Sequence, residues 1–359
     1  MKQSKLDESL QEVKVLIDFL DSRTEQTGER ELYFERGGLG RLHLDYEEAS
    51  RYHKCLRNLV NSSVKDDDLS LKTVERALQE TLLEALFSNN SSLPSTDLKI
   101  SRILEDLKQK LTVKRIPYCC YIPVCGIQEE GLPLSIGQIE FAIFDDLLIH
   151  NFQEIVAKHK LQRKIKWERL KGDIDRKFYK KTCSLVTVEA KDYEAAQLLA
   201  IKKLRGVLDI LNFFSTLVPY NPNAWAYLPG DFEPQLFTTI TLDKDDGASY
   251  NTGEKRIGPL QKLEIPRIIE SDKKDNIGFD YITNLLQKKN PNKFQQALVT
   301  AIQWAGRAIV AKRREEAFLL YAIALESIIL VDNPHTELSY RLRIRISISL
   351  QAIVSVVAK

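Results

Sequence analysis

The longest patterned stretch of the chain runs over residues 294–350. Phe294, Leu298, Ala301, Ile302, Ala305, Ala308 and Ile309 recur every three or four positions, which predicts an amphipathic helix ending near Ala311. From Ala317 to Val331, 13 of 15 residues are apolar on every side, the pattern of a helix enclosed by neighbours. The run is shorter than the about 20 residues that a membrane crossing needs. Glu326 and Ser327 interrupt it. A carboxylate in such surroundings requires a cation or hydrogen-bond donors, so Glu326 is expected to pair with Arg345 ahead of Arg341. Asn333 followed by Pro334 suits the cap and first position of a third element. That element stays open between two forms. Leu342, Ile344, Ile346, Ile348 and Leu350 alternate with Arg343, Arg345, Ser347 and Ser349, a strand by period, and the whole stretch then reads as a helical hairpin on a sheet edge.

Helical spacing also marks the first third of the chain, over residues 10–20, 45–61, 69–87 and 95–111, with turn-rich segments at 62–68 and 88–95. Between the first two helices, ELYFERGGLGRLHLDY reads as two short strands joined by a glycine-rich turn. Gly37, Gly38 and Gly40 do not form a phosphate cradle, because the spacing is wrong and no apolar-faced helix follows directly. From Val113 the runs RIPYCCYIPVCGI, SIGQIEFAIFDD, CSLVTVEA and QLFTTITL are β-branched and aromatic, hence strands. Two helices interrupt them, the surest over 190–214, and residues 241–256 and 271–276 read as loops. The expected fold is therefore α+β. A mainly helical region spans 1–112, a mixed α and β region 113–290, and a helical region 291–359.

Composition bounds this picture without changing it: 359 residues, 43% hydrophobic and 28% charged, allow two or three domains with a sizeable core. Charge adds more. Residues 158–181 hold 11 Lys and Arg against 3 acids, a local balance of +8 that leaves −6 on the remainder of a chain whose net charge is +2. There Lys164, Lys166, Arg169, Lys171, Arg176 and Lys177 interleave with Trp167, Phe178 and Tyr179. Cations at that density can hold a phosphate backbone while rings stack on bases, so RNA is the expected partner, with these six cations and Trp167 as its site. The alternative is a solvated helix face followed by a hairpin, its rings anchored to the body of the protein. Cys55, Cys119, Cys120, Cys125 and Cys183 form no C-x-x-C pair. No metal or cofactor is expected, and the cysteines read as reduced, packed thiols. The start, MKQSKLDESL, lacks the apolar core of a signal peptide, and no long apolar span follows, which points to the cytoplasm and away from a membrane.

Tyr321, Ala324, Leu325 and Glu326, followed by Glu337, Leu338, Tyr340, Arg341, Leu342 and Arg345, resemble the opening helices of an Apea-like HEPN domain. In that family an A-L-E helix precedes an E-L-x-Y-R-L-x-x-R helix. Val188, Ala190, Asp192 and Ala196, which lead from a strand into a helix, are similar to the region ahead of the bundle in several such proteins. The resemblance implies an α+β module followed by a partial, truncated HEPN-like bundle, with 337–350 helical and with Glu326, Arg341 and Arg345 in its structural core. It further implies a homodimer through residues 294–359 and an RNA-targeting role in bacterial antiviral defence or as a toxin, of the metal-independent endoribonuclease class. There a His moves the proton of an RNA 2′-hydroxyl while an Arg stabilises charge on the phosphate. The family places that pair at the start of the last helix. No Arg and His at the required spacing follow residue 290, and the sequence ends at Lys359 where that helix would come, so no catalytic residue is assigned and this chain is expected to be inactive. Arg36 and His43 have the spacing, but the glycines between them disfavour a helix. A non-catalytic RNA-binding or dimerisation scaffold is the alternative.

Overall fold

The computed structural model describes residues 2–22, 32–36, 40–64, 67–87, 96–146, 150, 180–219, 224–231, 235–243, 247–255 and 261–329. The fold is α+β. Contacts group the chain into two compact units, residues 1–118 with 188–200, and residues 119–187 with 201–359. Among the described residues no helix is long and apolar enough to cross a membrane.

The first unit contains α1 (Lys2–Asp21), β1 (Leu32–Arg36), β2 (Gly40–Leu44), α2 (Tyr46–Ser63), α3 (Leu71–Phe87) and α4 (Thr96–Leu111). Leu6, Leu10, Val13, Ile17 and Leu20 form one buried stripe along α1, as their spacing dictates. They join Tyr52, Leu59, Leu78, Leu82 and Leu107 in a single core. Each fully buried side chain of this kind contributes about 2 kcal/mol. β1 and β2 form the expected antiparallel hairpin, with Phe34, Leu42 and Leu44 turned into the same core. Asp45 starts α2 through a reciprocal cap: Glu48 N donates to Asp45 Oδ1 at 2.9 Å, and Asp45 N donates to Glu48 Oε2 at 2.9 Å.

A buried carboxylate ties the ends of this unit together. Asp68 Oδ2 lies 2.7 Å from Arg115 Nε and 3.6 Å from Lys191 Nζ, and its main-chain oxygen accepts from Lys191 N at 2.7 Å. The following Asp192 accepts from Ala195 N at 2.7 Å and from Ser70 N at 2.8 Å. The Val188, Ala190, Asp192, Ala196 pattern is thus a strand-to-helix junction whose aspartate caps the helix, while Val188, Ala190 and Ala196 are buried.

In the second unit the sheet order is β3 (Ile116–Pro123), β6 (Thr182–Ala190), β5 (Ile139–Ile143), β4 (Leu134–Ile136). The division between units falls within β3, β6 and the long helix α5 (Tyr193–Ser215). β7 (Gln235–Asp243) and β8 (Gly247–Lys255) form a separate antiparallel pair, in register from Gln235 opposite Lys255 to Asp243 opposite Gly247. This corrects the reading of 241–256 as loop. GASYNTGEK has no alternating apolar pattern, and its strand conformation comes from pairing with β7.

Residues 271–276 are likewise no loop apart from the last position: Ser271 to Asp275 complete α6 (Ile265–Asp275), which Asn276 ends in a left-handed conformation. Asp272 then accepts from Gly278 N, Phe279 N and Asp280 N at 2.7, 2.9 and 2.9 Å, satisfying the first amides of α7 (Phe279–Gln287). α8 (Lys293–Ile309) opens with a second reciprocal cap, in which Gln295 N donates to Asn292 Oδ1 at 2.9 Å. α9 (Arg314–Ile329) follows. It is not enclosed as its composition suggests. Leu320 and Ala324 are buried, Ala324 in one cluster with Ala301, Ala305 and Trp304, whereas Phe318 is 77% exposed and Leu325 57%. The small residues of α8 admit only a narrow strip of α9. The expected cap at Asn333 and Pro334 and the helix-or-strand question at 337–350 lie outside the described residues.

Candidate functional site

Of the residues singled out for nucleic acid, Lys164, Lys166, Trp167, Arg169, Lys171, Arg176 and Lys177 all lie outside the described residues, as do Arg341 and Arg345. Glu326 sits half-buried on α9, and among the described residues it has no ion-pair partner. Arg36 and His43 belong to the β1–β2 hairpin, where Arg36 stands opposite Gly40 and His43 opposite Tyr33. Their spacing is therefore carried by two strands, and the helical geometry of an Arg and His pair does not arise there. All five cysteines are free. Burial pushes the Cys55 thiol up to about 11 and that of Cys183 up to about 12, and it raises Cys119, Cys120 and Cys125 as well. None is poised as a thiolate nucleophile.

The most developed cluster of charge lies in the second unit, around a cleft of about 390 Å³. α5 supplies Arg205, Asp209 and Asn212, the 224–231 segment supplies Tyr227 and Asp231, and the end of α8 with the start of α9 supplies Arg307, Lys312 and Glu316. The 224–231 segment is fixed from two directions. Cys125 N donates to Tyr227 O at 2.9 Å and Tyr227 N to Cys125 O at 3.0 Å. Gly126, at φ +80°, lets the chains come so close that a Cβ there would lie 2.2 Å from Trp225 O. From the other side, buried Asn212 grips Ala226 with both ends of its amide, Nδ2 donating to Ala226 O at 3.0 Å and Oδ1 accepting from Ala226 N at 2.7 Å.

Two ion pairs cross this cleft. Arg307 Nη2 donates to Asp209 Oδ2 at 2.9 Å, and Arg205 Nη2 donates to Asp231 Oδ1 at 3.0 Å. Arg307 also lies over the Trp304 ring, 4.7 Å from its centroid. Burial drives the Asp209 carboxyl up to about 6, against the opposing pull of Arg307. The pair sits where α5 and α8 touch backbone to backbone: a Cβ on Gly306 would lie 1.7 Å from Asp209 O. Among the described residues three cations and three carboxylates balance around the cleft, and none of its lining side chains is a His, Cys or Ser. Such an arrangement can exchange a proton near neutral pH and clamp two helices. Sequence reading overlooked Asp209 and Arg307. The signal was the same one that drew attention to Glu326, a lone charge within an apolar run, here LDILNFF and AGRAIVA.

Among the described residues no group of His, Cys, Asp and Glu could hold a metal ion. Comparison with family models, with curated proteins and with solved structures returns no match.

Proposed function

We propose that this chain is a cytoplasmic RNA-binding protein of the Apea-like HEPN type, from a bacterial defence or toxin-like system, which associates through the α8–α9 region and has no ribonuclease activity of its own. The observation that carries the association is the outward face of α9. Phe318, Leu319, Tyr321 and Leu325 are all exposed on a helix whose inward face buries only Leu320 and Ala324. Large apolar side chains gathered on one exposed face favour self-association. RNA as the ligand is supported by the local charge of residues 158–181. The non-catalytic form of the reading is favoured by the hairpin position of Arg36 and His43.

Replacing Lys164, Lys166 and Arg169 with Glu tests the RNA reading. The expected result is weaker binding of a short single-stranded RNA with a shallower salt dependence, and unchanged affinity and slope would overturn it. Sedimentation of Phe318→Glu with Leu325→Glu tests association: the variant should be monomeric where the wild type is not. Metal-independent RNA cleavage that survives Arg36→Ala with His43→Ala would defeat the non-catalytic reading.

A further inference from the structure

We propose that the exposed face of α2 is a second RNA contact, in which Lys54, Arg57 and His53 hold phosphates while Tyr46 stacks on a base. The inference rests on the RNA-binding reading above and adds to it a surface that the basic segment does not include.

The argument begins with how α2 uses its charges. Glu47 pairs with Arg51 at 2.7 Å, and Arg51 also covers the Phe19 ring at 3.9 Å, while Glu48 closes the cap. His53, Lys54 and Arg57 are left exposed, and none has an ion-pair partner among the described residues. With Tyr46, Ala49 and Ser50 they line a hollow of about 450 Å³. Among the described residues that lining holds three basic side chains and no acid, within a chain whose charge outside residues 158–181 sums to −6. A solvated face would interleave both signs, as Glu47 and Arg51 do one turn away.

Geometry then narrows the ligand. Residues 53 and 57 are neighbours on one helix face, about 5–6 Å apart at Cβ, close enough to hold adjacent phosphates. Tyr46 is 78% exposed and stands about 12 Å from Lys54 along the axis. A free phenol ring beside unpaired cations matches what single strands use, a stacking platform next to an electrostatic groove. His53 is seated against the core. His53 lies edge-on to the ring of fully buried Tyr52 at 5.4 Å, and Tyr52 in turn accepts from Gln79 Nε2 at 3.3 Å. A lipid surface fits less well, because the hollow presents Ala49 and Ser50 where an interfacial helix would carry large apolar residues.

The test uses the full chain and a short fluorescein-labelled oligouridylate, followed by anisotropy between about 50 and 200 mM salt. Lys54→Glu with Arg57→Glu should weaken binding at least about tenfold and reduce the log–log salt slope by about 1.4, two contacts at about 0.7 each. Tyr46→Ala should weaken binding about tenfold with the slope unchanged. Lys54→Arg with Arg57→Lys should bind as the wild type does, and far-ultraviolet circular dichroism of all three variants should match it, since the side chains are exposed. If the α2 variants keep wild-type affinity and slope while the Lys164, Lys166, Arg169 variant weakens, the α2 contact is overturned and the RNA reading stands. Failure of the wild type to bind would overturn both. Loss of binding to labelled polyglutamate with RNA binding intact would overturn RNA as the ligand of this face.

Discussion

The amino-terminal unit and the α8–α9 pair are both helical, yet they distribute large and small side chains in opposite ways. In the first, Tyr52, Leu59, Leu78, Leu82 and Leu107 are wholly enclosed, while the exposed positions of α2 are mostly polar. In the second, Ala301, Ala305 and Ala324 meet at the interface, and Phe318, Leu319 and Leu325 face outward. Small residues bring backbones close but bury little apolar area, so the pair gains less from its own contact than the first unit does. Its large residues remain available to something else. Apolar content alone therefore does not tell a stabilising helix from an associating one; what separates them is which sizes face inward.

The sharpest break of this contrast is a matched truncation. Leu82→Ala should cost about 3–5 kcal/mol in urea unfolding, whereas Leu325→Ala, measured at a concentration dilute enough for the protein to be monomeric, should stay within about 0.5 kcal/mol. Equal costs in the monomer would mean that the chain itself covers the outward face of α9. Next comes the buried acid of the second unit. A carboxyl whose folded pKa lies above its ordinary value contributes stability that is fully present below the unfolded pKa and lost as pH rises through the folded one. For Asp209 that window runs from the ordinary carboxyl value of 3.8 to about 6. The advantage of Asp209→Asn over the wild type should therefore grow by up to about 3 kcal/mol between those two pH values and then level off. Parallel pH profiles for the two proteins would show that Arg307 fully compensates the burial.

Gly306→Ala should cost about 1–3 kcal/mol, because its Cβ meets Asp209 O at 1.7 Å and the helices must part. Thermal melting reads this directly, and an unchanged midpoint would remove the close approach from the account. Smallest is the comparison of caps. Asp45→Ala and Asn292→Ala remove the same device from the two regions, and each should cost roughly 1 kcal/mol. A much larger loss at Asn292 would show that the second region leans on local devices more than the first.

The elements were legible where pattern and punctuation agreed. α2 was readable because Asp45 and Glu48 mark its start and its buried positions recur every three or four residues. The β1–β2 hairpin was readable from its glycines. β8 was not, because its conformation is imposed by its partner and leaves no periodic trace in GASYNTGEK. The end of α6 was hidden in Ser271, Asp272, Lys273, Lys274 and Asp275, residues that suit a loop equally well. The charged cleft was hidden for another reason: Asp209 and Arg307 lie 98 positions apart, and nothing local announces that Gly306 lets their helices touch. The outward face of α9 was misread because thirteen apolar residues look the same whether or not neighbours cover them.

The two buried aspartates that organise main-chain amides and cations differ in reach. Asp272 takes its three donors from residues six to eight positions ahead, so closing that corner loses little loop entropy. Asp68 draws on Arg115 and on Lys191, 47 and more than 120 positions away in sequence. Bringing such distant partners together is slow, and it gains nothing until both ends have arrived. The α6–α7 corner can thus form as soon as its own residues leave the ribosome, whereas the amino-terminal unit, whose first helix is made at the outset, waits unsealed until Lys191 has emerged.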